Sequence, residues 1–246
     1  MFTWFKKDKG IIYKNIIDKL KVDLHSHLIP AIDDGAKSFE ESINYIKELK
    51  ELGYEKLIIT PHIVSRIYPN NKKDIIKKAS YLKEELNRQK INMTIEVAAE
   101  YYLDEDFIGY LQDNPLIIKG KYLLFETSHI ANPINIEYII YKVFSQGYTP
   151  LFAHPERYSY IKNLEEEYGK LKQLGVFFQL DINSLNGFYG KDAKDRALFL
   201  VEKGWIDFVG SDLHNQRHLN NLKKVFLDKS LWQILFERNN ILNSTL

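Results

Sequence analysis

Short apolar runs alternate with stretches of helical period along most of the chain. The runs Lys21–His27, Lys56–Thr60, Met93–Ala98, Tyr122–Phe125, Thr149–Ala153, Val176–Leu180 and Ile206–Gly210 are strand-length and rich in β-branched and aromatic residues, which predicts seven strands. Between them lie amphipathic segments. Ser38 opens a helix, with Glu41 three residues on completing a capping box. Phe39, Ile43, Ile46, Leu49 and Leu52 give that helix an apolar face, and Gly53 ends it. Further helices are predicted over Asp74–Arg88, Asn135–Phe144 and Asp192–Lys203, and a helical tail with polar breaks from about Leu219. Each strand is thus followed by a helix or a long loop, the order of an α/β fold with a parallel sheet buried on both faces. No repeat or linker-like shift divides it, so one domain is the simplest organisation.

At 246 residues, 45% hydrophobic and 27% charged, the chain has an ordinary globular composition. A net charge of +1 gives no electrostatic footprint for nucleic acid. No run approaches the roughly 20 apolar residues of a membrane span. Met1-Phe2-Thr3-Trp4-Phe5-Lys6-Lys7 lacks the apolar core of a signal peptide and is expected to pack on the domain. The absence of cysteine removes disulfides, thiolate metal sites and cysteine nucleophiles, and fits a cytoplasmic protein. If the chain is a hydrolase, metal-activated water is then the expected nucleophile.

Polar chemistry collects where the apolar runs stop. His25 and His27 are two apart, so on a strand both imidazoles face one side. Asp212-Leu213-His214 repeats that spacing with a carboxylate. His62 follows Thr60-Pro61 and His154 follows Phe152-Ala153, while Glu100 and Glu126 end apolar runs. Taken singly, each is equally an ordinary loop residue, and Asp33-Asp34-Gly35 is by itself an Asx-type turn. Taken together, donors from nearly every strand end favour a closed or nearly closed barrel with a metal site at one end.

In order along the chain, Asp23-Leu24-His25-Ser26-His27, Asp33-Asp34-Gly35, Thr60-Pro61-His62, Glu100, Glu126, His154-Pro155-Glu156-Arg157-Tyr158 and Ser211-Asp212-Leu213-His214-Asn215 resemble the polymerase-and-histidinol-phosphatase (PHP) superfamily. Within it the pattern is most similar to the bacterial metal-dependent protein-tyrosine phosphatases of capsule and exopolysaccharide operons. The resemblance runs from about Lys21 onward, leaving residues 1–20 as an N-terminal extension to a 21–246 phosphatase domain. Ala31 is a departure, standing where relatives often have a glycine-containing turn.

The resemblance implies a distorted seven-stranded (β/α) barrel with a cluster of three divalent ions, Mn first, with Fe, Zn or Mg as alternatives. His25, His27, Glu100 and Asp212 would hold one ion. Glu100 would bridge to a second, shared with Glu126 and His154. Asp34, His62 and His214 would hold the third. Arg157 matches the family's phosphate-binding arginine. Arg217 and Arg66 also lie close enough in sequence to reach substrate, although each is equally a solvated loop arginine. Tyr101 and Tyr102 are candidates for an aryl pocket or for the core, and His129 and His218 are read as structural. The implied substrate is a tyrosine-phosphorylated protein, the tail of a membrane-bound tyrosine autokinase controlling polysaccharide export, with room for a homo-oligomer. The competing readings are a small-molecule phosphatase such as one for histidinol phosphate, and a non-catalytic metal-stabilised binding module.

Overall fold

A computed structural model of the protein describes residues 16–246. The Met1–Lys7 segment and most of the expected 1–20 extension lie outside the described residues; residues 16–20 are helical, and Ile16, Ile17 and Leu20 are buried. The strands are β1 (Val22–Asp23), β2 (Lys56–Ile59), β3 (His62–Ile63), β4 (Thr94–Val97), β5 (Glu100–Tyr102), β6 (Tyr122–Glu126), β7 (Thr149–Ala153), β8 (Phe177–Asp181) and β9 (Phe208–Gly210). The helices are α1 (Phe39–Leu52), α2 (Lys72–Arg88), α3 (Phe107–Gln112), α4 (Ile136–Ser145), α5 (Leu164–Gln173), α6 (Lys191–Glu202), α7 (Gln216–Leu227) and α8 (Lys229–Arg238). Three short 3-10 turns lie at Pro155–Arg157, Ile182–Asn186 and Asn243–Thr245.

All strand pairs are parallel, in the orders β1-β2-β4 and β3-β5-β6-β7-β8-β9. The result is a curled, six-stranded parallel half-barrel with a three-stranded sheet beside it, rather than one continuous seven-stranded set. The expected strands Lys56–Thr60 and Met93–Ala98 correspond to β2 and β4, and each is followed by a short strand the sequence did not predict, β3 and β5. Pro61, which has no N–H, separates β2 from β3, and Ala98-Ala99 separates β4 from β5. Bonds still cross these breaks, from Ala98 N–H to Ile59 O (3.0 Å) and from Glu100 N–H to Pro61 O (3.1 Å). On the other side, the segment after β9 meets the segment after β1. Asp212 N–H donates to His25 O (2.9 Å), His27 N–H to Leu213 O (3.0 Å), and Ser26 bridges Leu213 in parallel.

That seam is held by buried polar groups. The Asp23 carboxylate accepts from Ser211 N–H (2.8 Å) and Ser211 Oγ–H (2.6 Å). Asn243 donates to both Val22 O (2.9 Å) and Val209 O (2.7 Å), and accepts from Val209 N–H (3.0 Å). Its side-chain amide therefore stands in for backbone pairing between β1 and β9.

Helix signals translate into caps. Ser38 Oγ accepts from Glu41 N–H (3.2 Å), but the Glu41 carboxylate reaches Lys37 N–H (2.9 Å), one residue further back than in a standard capping box. Gly53, at φ 107, ends α1 in the left-handed conformation. Phe39, expected on the apolar face of α1, is exposed instead: it shares the face of the buried Ile43 and Ile46 but is the first residue of the helix, one turn ahead of where burial begins. No helix among the described residues is long and apolar enough to cross a membrane.

Candidate metal centre

The donors converge beyond the C-terminal ends of the central strands. His25 and His27 project from the extended segment after β1, pinned by the seam bonds, and their Nε2 atoms lie 3.2 Å apart. Glu100 opens β5 beside His62, which opens β3, since the two residues are in register. Glu126 closes β6, His154 follows β7, and Asp212 follows β9 by two residues. His154 and Asp212 both sit in left-handed backbone, with φ 33 and 44. Such strain in non-glycine residues is typical where surrounding structure fixes a functional side chain.

Glu100 is the hub. Its Oε2 lies 3.2 Å from His25 Nε2, 3.5 Å from His27 Nε2 and 3.1 Å from His62 Nδ1, while its Oε1 lies 3.0 Å from His154 Nε2. Asp212 Oδ1 is 3.2 Å from both His25 Nε2 and His27 Nε2. Glu126 Oε1 is 3.1 Å from His62 Nδ1, and Glu126 Oε2 is 3.9 Å from His154 Nε2. Asp34 Oδ1 stands 3.5 Å from both His62 Nε2 and His214 Nε2, and forms the solvent side of the cluster.

The donors sort into four overlapping groups: His25, His27, Glu100 and Asp212; His27, Asp34, His62 and His214; His62, Glu100 and Glu126; and Glu126, His129 and His154. All nine residues singled out in the sequence are therefore brought together. His27 adds itself to the Asp34 set. His129, read from sequence as structural, joins Glu126 and His154.

Second-layer contacts orient the rings. Gln179 donates through Nε2 to Leu180 O (2.8 Å), which turns its Oε1 toward His25 Nδ1 (2.7 Å). Nδ1–H of His25 donates there, and Nε2 faces the carboxylates. Asp33 does the same for His27, with Oδ2 2.8 Å from Nδ1. His214 Nδ1 lies 2.9 Å from the Asp212 carbonyl oxygen, so its Nε2 is turned toward Asp34. A histidine whose far nitrogen is tied in this way presents the other to an ion. Gly35 is what permits the Asp33–Asp34 loop to lie so close. A Cβ there would stand 2.0 Å from His27 O.

The electrostatics fit a cation. Glu100 Oε2, Asp212 Oδ1, His62 Nδ1 and His154 Nδ1 are buried with no hydrogen-bond partner. Burial opposes protonation of His25, but the Glu100 and Asp212 charges outweigh it and raise its pKa to about 9. Burial would likewise raise the pKa of Glu100, yet the His25 and His62 charges hold it well below the usual carboxylate range. His154 is pushed down to about 3 by burial and by the Arg157 charge, which leaves it neutral. Buried carboxylates facing one another across imidazoles are costly unless a cation joins them. Nitrogen and oxygen donors without sulfur suit Mn, Fe, Zn or Mg. The residues therefore fit a metal cluster.

Arg157 lies against this cluster. Its Nη1 is 2.5 Å from Asp212 Oδ2 and 3.9 Å from Asp181 Oδ2, and its guanidinium covers the Tyr189 ring at 4.4 Å. The adjacent Glu156 is turned away, accepting instead from Ser184 Oγ–H (2.7 Å) and Asp181 N–H (3.2 Å). Arg217 lies in the first turn of α7 and stacks on Phe188 at 4.9 Å. Two neighbouring aromatic residues thus each carry an arginine. Arg66 is 85% exposed and paired with Glu105 at 2.5 Å. Tyr101 belongs to the core, its hydroxyl accepting from Leu116 N–H (2.8 Å). Tyr68 lies parallel to His62, with ring centroids 5.6 Å apart. Asp33 was read from the sequence as a turn residue and His129 as structural, while Gln179 and Tyr189 were not picked out. Gln179, a polar residue inside an apolar strand, carried a readable signal there.

The chain belongs to the CpsB/CapC family of capsular polysaccharide synthesis, whose model matches residues 21–225. It is 31% identical over 201 residues to the tyrosine-protein phosphatase YwqE of Bacillus subtilis, covering 81% of this chain and 79% of that one. To the tyrosine-protein phosphatase CpsB of Streptococcus agalactiae it is 28% identical, covering 79% of this chain and 83% of that one. Among solved structures, it superposes on a chain from the crystal structures of YwqE from Bacillus subtilis and CpsB from Streptococcus pneumoniae, described as unique metal-dependent tyrosine phosphatases. The TM-score is 0.76 and the identity 28%, over 89% of this chain and 96% of that one.

Proposed function

We propose that the protein is a metal-dependent protein-tyrosine phosphatase. The observation that carries this reading is the gathering of nine nitrogen and oxygen donors, several of them buried without partners, beside a guanidinium fixed at their edge. The proposed ligand sets are His25, His27, Glu100 and Asp212 for one ion; Glu100, Glu126 and His154 for a second; and Asp34, His62 and His214 for a third, with Mn the first choice of metal. Ions so held supply Lewis-acid charge and lower the pKa of water. The protein's own groups do the rest. Gln179 and Asp33 keep His25 and His27 aimed inward. Arg157, held by Asp212 and Tyr189, offers its remaining N–H groups to phosphoryl oxygens. Arg217 adds a second positive charge from the start of α7, whereas Arg66 would reach substrate only by leaving Glu105. A tyrosine phenolate is a fair leaving group, so no strong general acid is required. The half-exposed Asp34 marks the side from which a phosphotyrosyl chain would approach.

The proposal extends to the wider setting. We read the interrupted strands as a distorted seven-stranded PHP barrel within a single domain over residues 21–246. The substrate is the tyrosine-phosphorylated tail of a membrane-bound autokinase, met in the cytoplasm, and homo-oligomers are compatible with this role. Steady-state hydrolysis of a phosphotyrosyl peptide and of histidinol phosphate, with Mn²⁺ and after chelation, tests the core of it. Metal-dependent turnover favouring the peptide is expected. A preference for histidinol phosphate would overturn the substrate, and turnover that survives complete chelation would overturn the chemistry.

A further inference from the structure

His129 lies three residues beyond the end of β6, in a loop whose sequence gives no reason to look there. Its backbone is nonetheless fixed. The His129 carbonyl accepts from both Ser159 N–H (2.8 Å) and Ser159 Oγ–H (2.9 Å). Ser128 Oγ in turn accepts from Ala131 N–H at 3.2 Å, shaping the turn that follows. The imidazole packs edge-on to His154, with centroids 5.6 Å apart, and tilted against Tyr158 at the same distance. Packing alone would explain a ring at this place, but not its polarity. His129 Nε2 is buried with no hydrogen-bond partner. An orphaned buried nitrogen carries its full desolvation penalty, which a bound cation removes. A ring nitrogen of His129 also lies within 4.8 Å of donor atoms of Glu126 and His154.

We propose that His129 is a metal ligand, completing with Glu126 and His154 a two-imidazole, one-carboxylate set for a divalent cation. Such a set leaves a coordination position open for substrate or water. The inference rests on the metal reading above and adds to it a ligand that the family resemblance did not supply. It is tested by titrating the metal-free protein and its His129→Ala variant with Mn²⁺ by calorimetry. The ions retained after gel filtration are counted by elemental analysis, and visible spectra are recorded of the Co²⁺-loaded forms. The variant should retain one ion fewer, or hold one ion roughly tenfold or more weakly, with an altered Co²⁺ band. His129→Asp keeps a donor and His129→Gln keeps bulk without a strong one. Recovery of the ion in the first and not the second supports ligation, and equal behaviour of the two overturns it. A His129→Ala variant that matches the wild type in stoichiometry, affinity and spectrum also overturns it. A wild-type protein that binds no ion overturns the metal reading beneath.

Discussion

Removing the Asp33 carboxylate should weaken metal binding without touching a ligand. Its Oδ2 accepts from His27 Nδ1–H at 2.8 Å and from His62 N–H at 3.1 Å, and its Oδ1 accepts from Gly35 N–H at 3.0 Å. The side chain is fully shielded from solvent. In Asp33→Ala, His27 loses the partner that fixes its tautomer and ring direction, and two backbone donors lose theirs. Loss of such an outer contact costs about 10–100-fold in metal affinity, or roughly 1.4–2.7 kcal/mol at 1.36 kcal/mol per tenfold. Asp33→Asn separates geometry from charge. Its single amide oxygen serves either His27 and His62 or Gly35, and its NH₂ then faces a backbone donor on the other side. The Asn variant should therefore fall between wild type and Ala. Competition with a chromophoric chelator measures the affinity, and circular dichroism confirms that the fold persists. Equal affinity in Asp33→Ala and wild type would refute the claim that Asp33 orients His27 for an ion.

Gly35→Ala places a Cβ against the His27 carbonyl, so the loop must move. A loss of about 1–3 kcal/mol in chemical denaturation, together with weaker metal binding, is expected, and a wild-type denaturation midpoint would contradict it. Metal uptake should release protons. His25, raised to about 9 in the metal-free protein, is protonated below that pH and neutral above it, so an ion must displace a proton at neutral pH. Affinity should thus rise with pH up to about 9; calorimetry in buffers of different ionisation heat counts the protons, and a zero count excludes the idea. Tyr189→Ala removes the ring under Arg157. Cation–π contacts contribute roughly 0.5–2 kcal/mol, so KM for a phosphotyrosyl peptide should rise a few-fold to about thirtyfold while the bound metal stays constant. A fall in metal content instead would place Tyr189 in the cluster's support.

What could be read in the sequence was what lies at the ends of apolar runs. His25, His27, His62, Glu100, Glu126, His154, Asp212 and His214 each follow or closely adjoin such a run, and a parallel sheet delivers strand ends to one edge. The short strands β3 and β5 were not visible, because two or three residues after Pro61 and after Ala98-Ala99 are too few to carry a period, and only the ladder reveals them. Phe39 was misplaced for a related reason. An apolar residue at the first position of a helix fits the periodicity, but stands a turn ahead of the buried part of its own face. His129 was read as structural, and no local signal places it beside Glu126 and His154. Its position depends on Ser159, 30 residues away, which captures its carbonyl. Asp33 looked like a turn residue and is one, through Gly35; its second oxygen acts on His27, which only the folded loop reveals.

The seam between β1 and β9 gives the cluster a mechanical meaning as well. His25 and His27 lie on one side of that seam and Asp212 and His214 on the other, and the Asp23–Ser211 contact that lines it joins positions 188 apart. An ion gripped from both sides would be a cross-link closing most of the chain into a loop, which limits the unfolded state as a long disulfide does. On the proposed metal reading, a protein without a single cysteine would carry the counterpart of a bridge between β1 and β9. Such a bridge would be opened by a chelator rather than by a reductant.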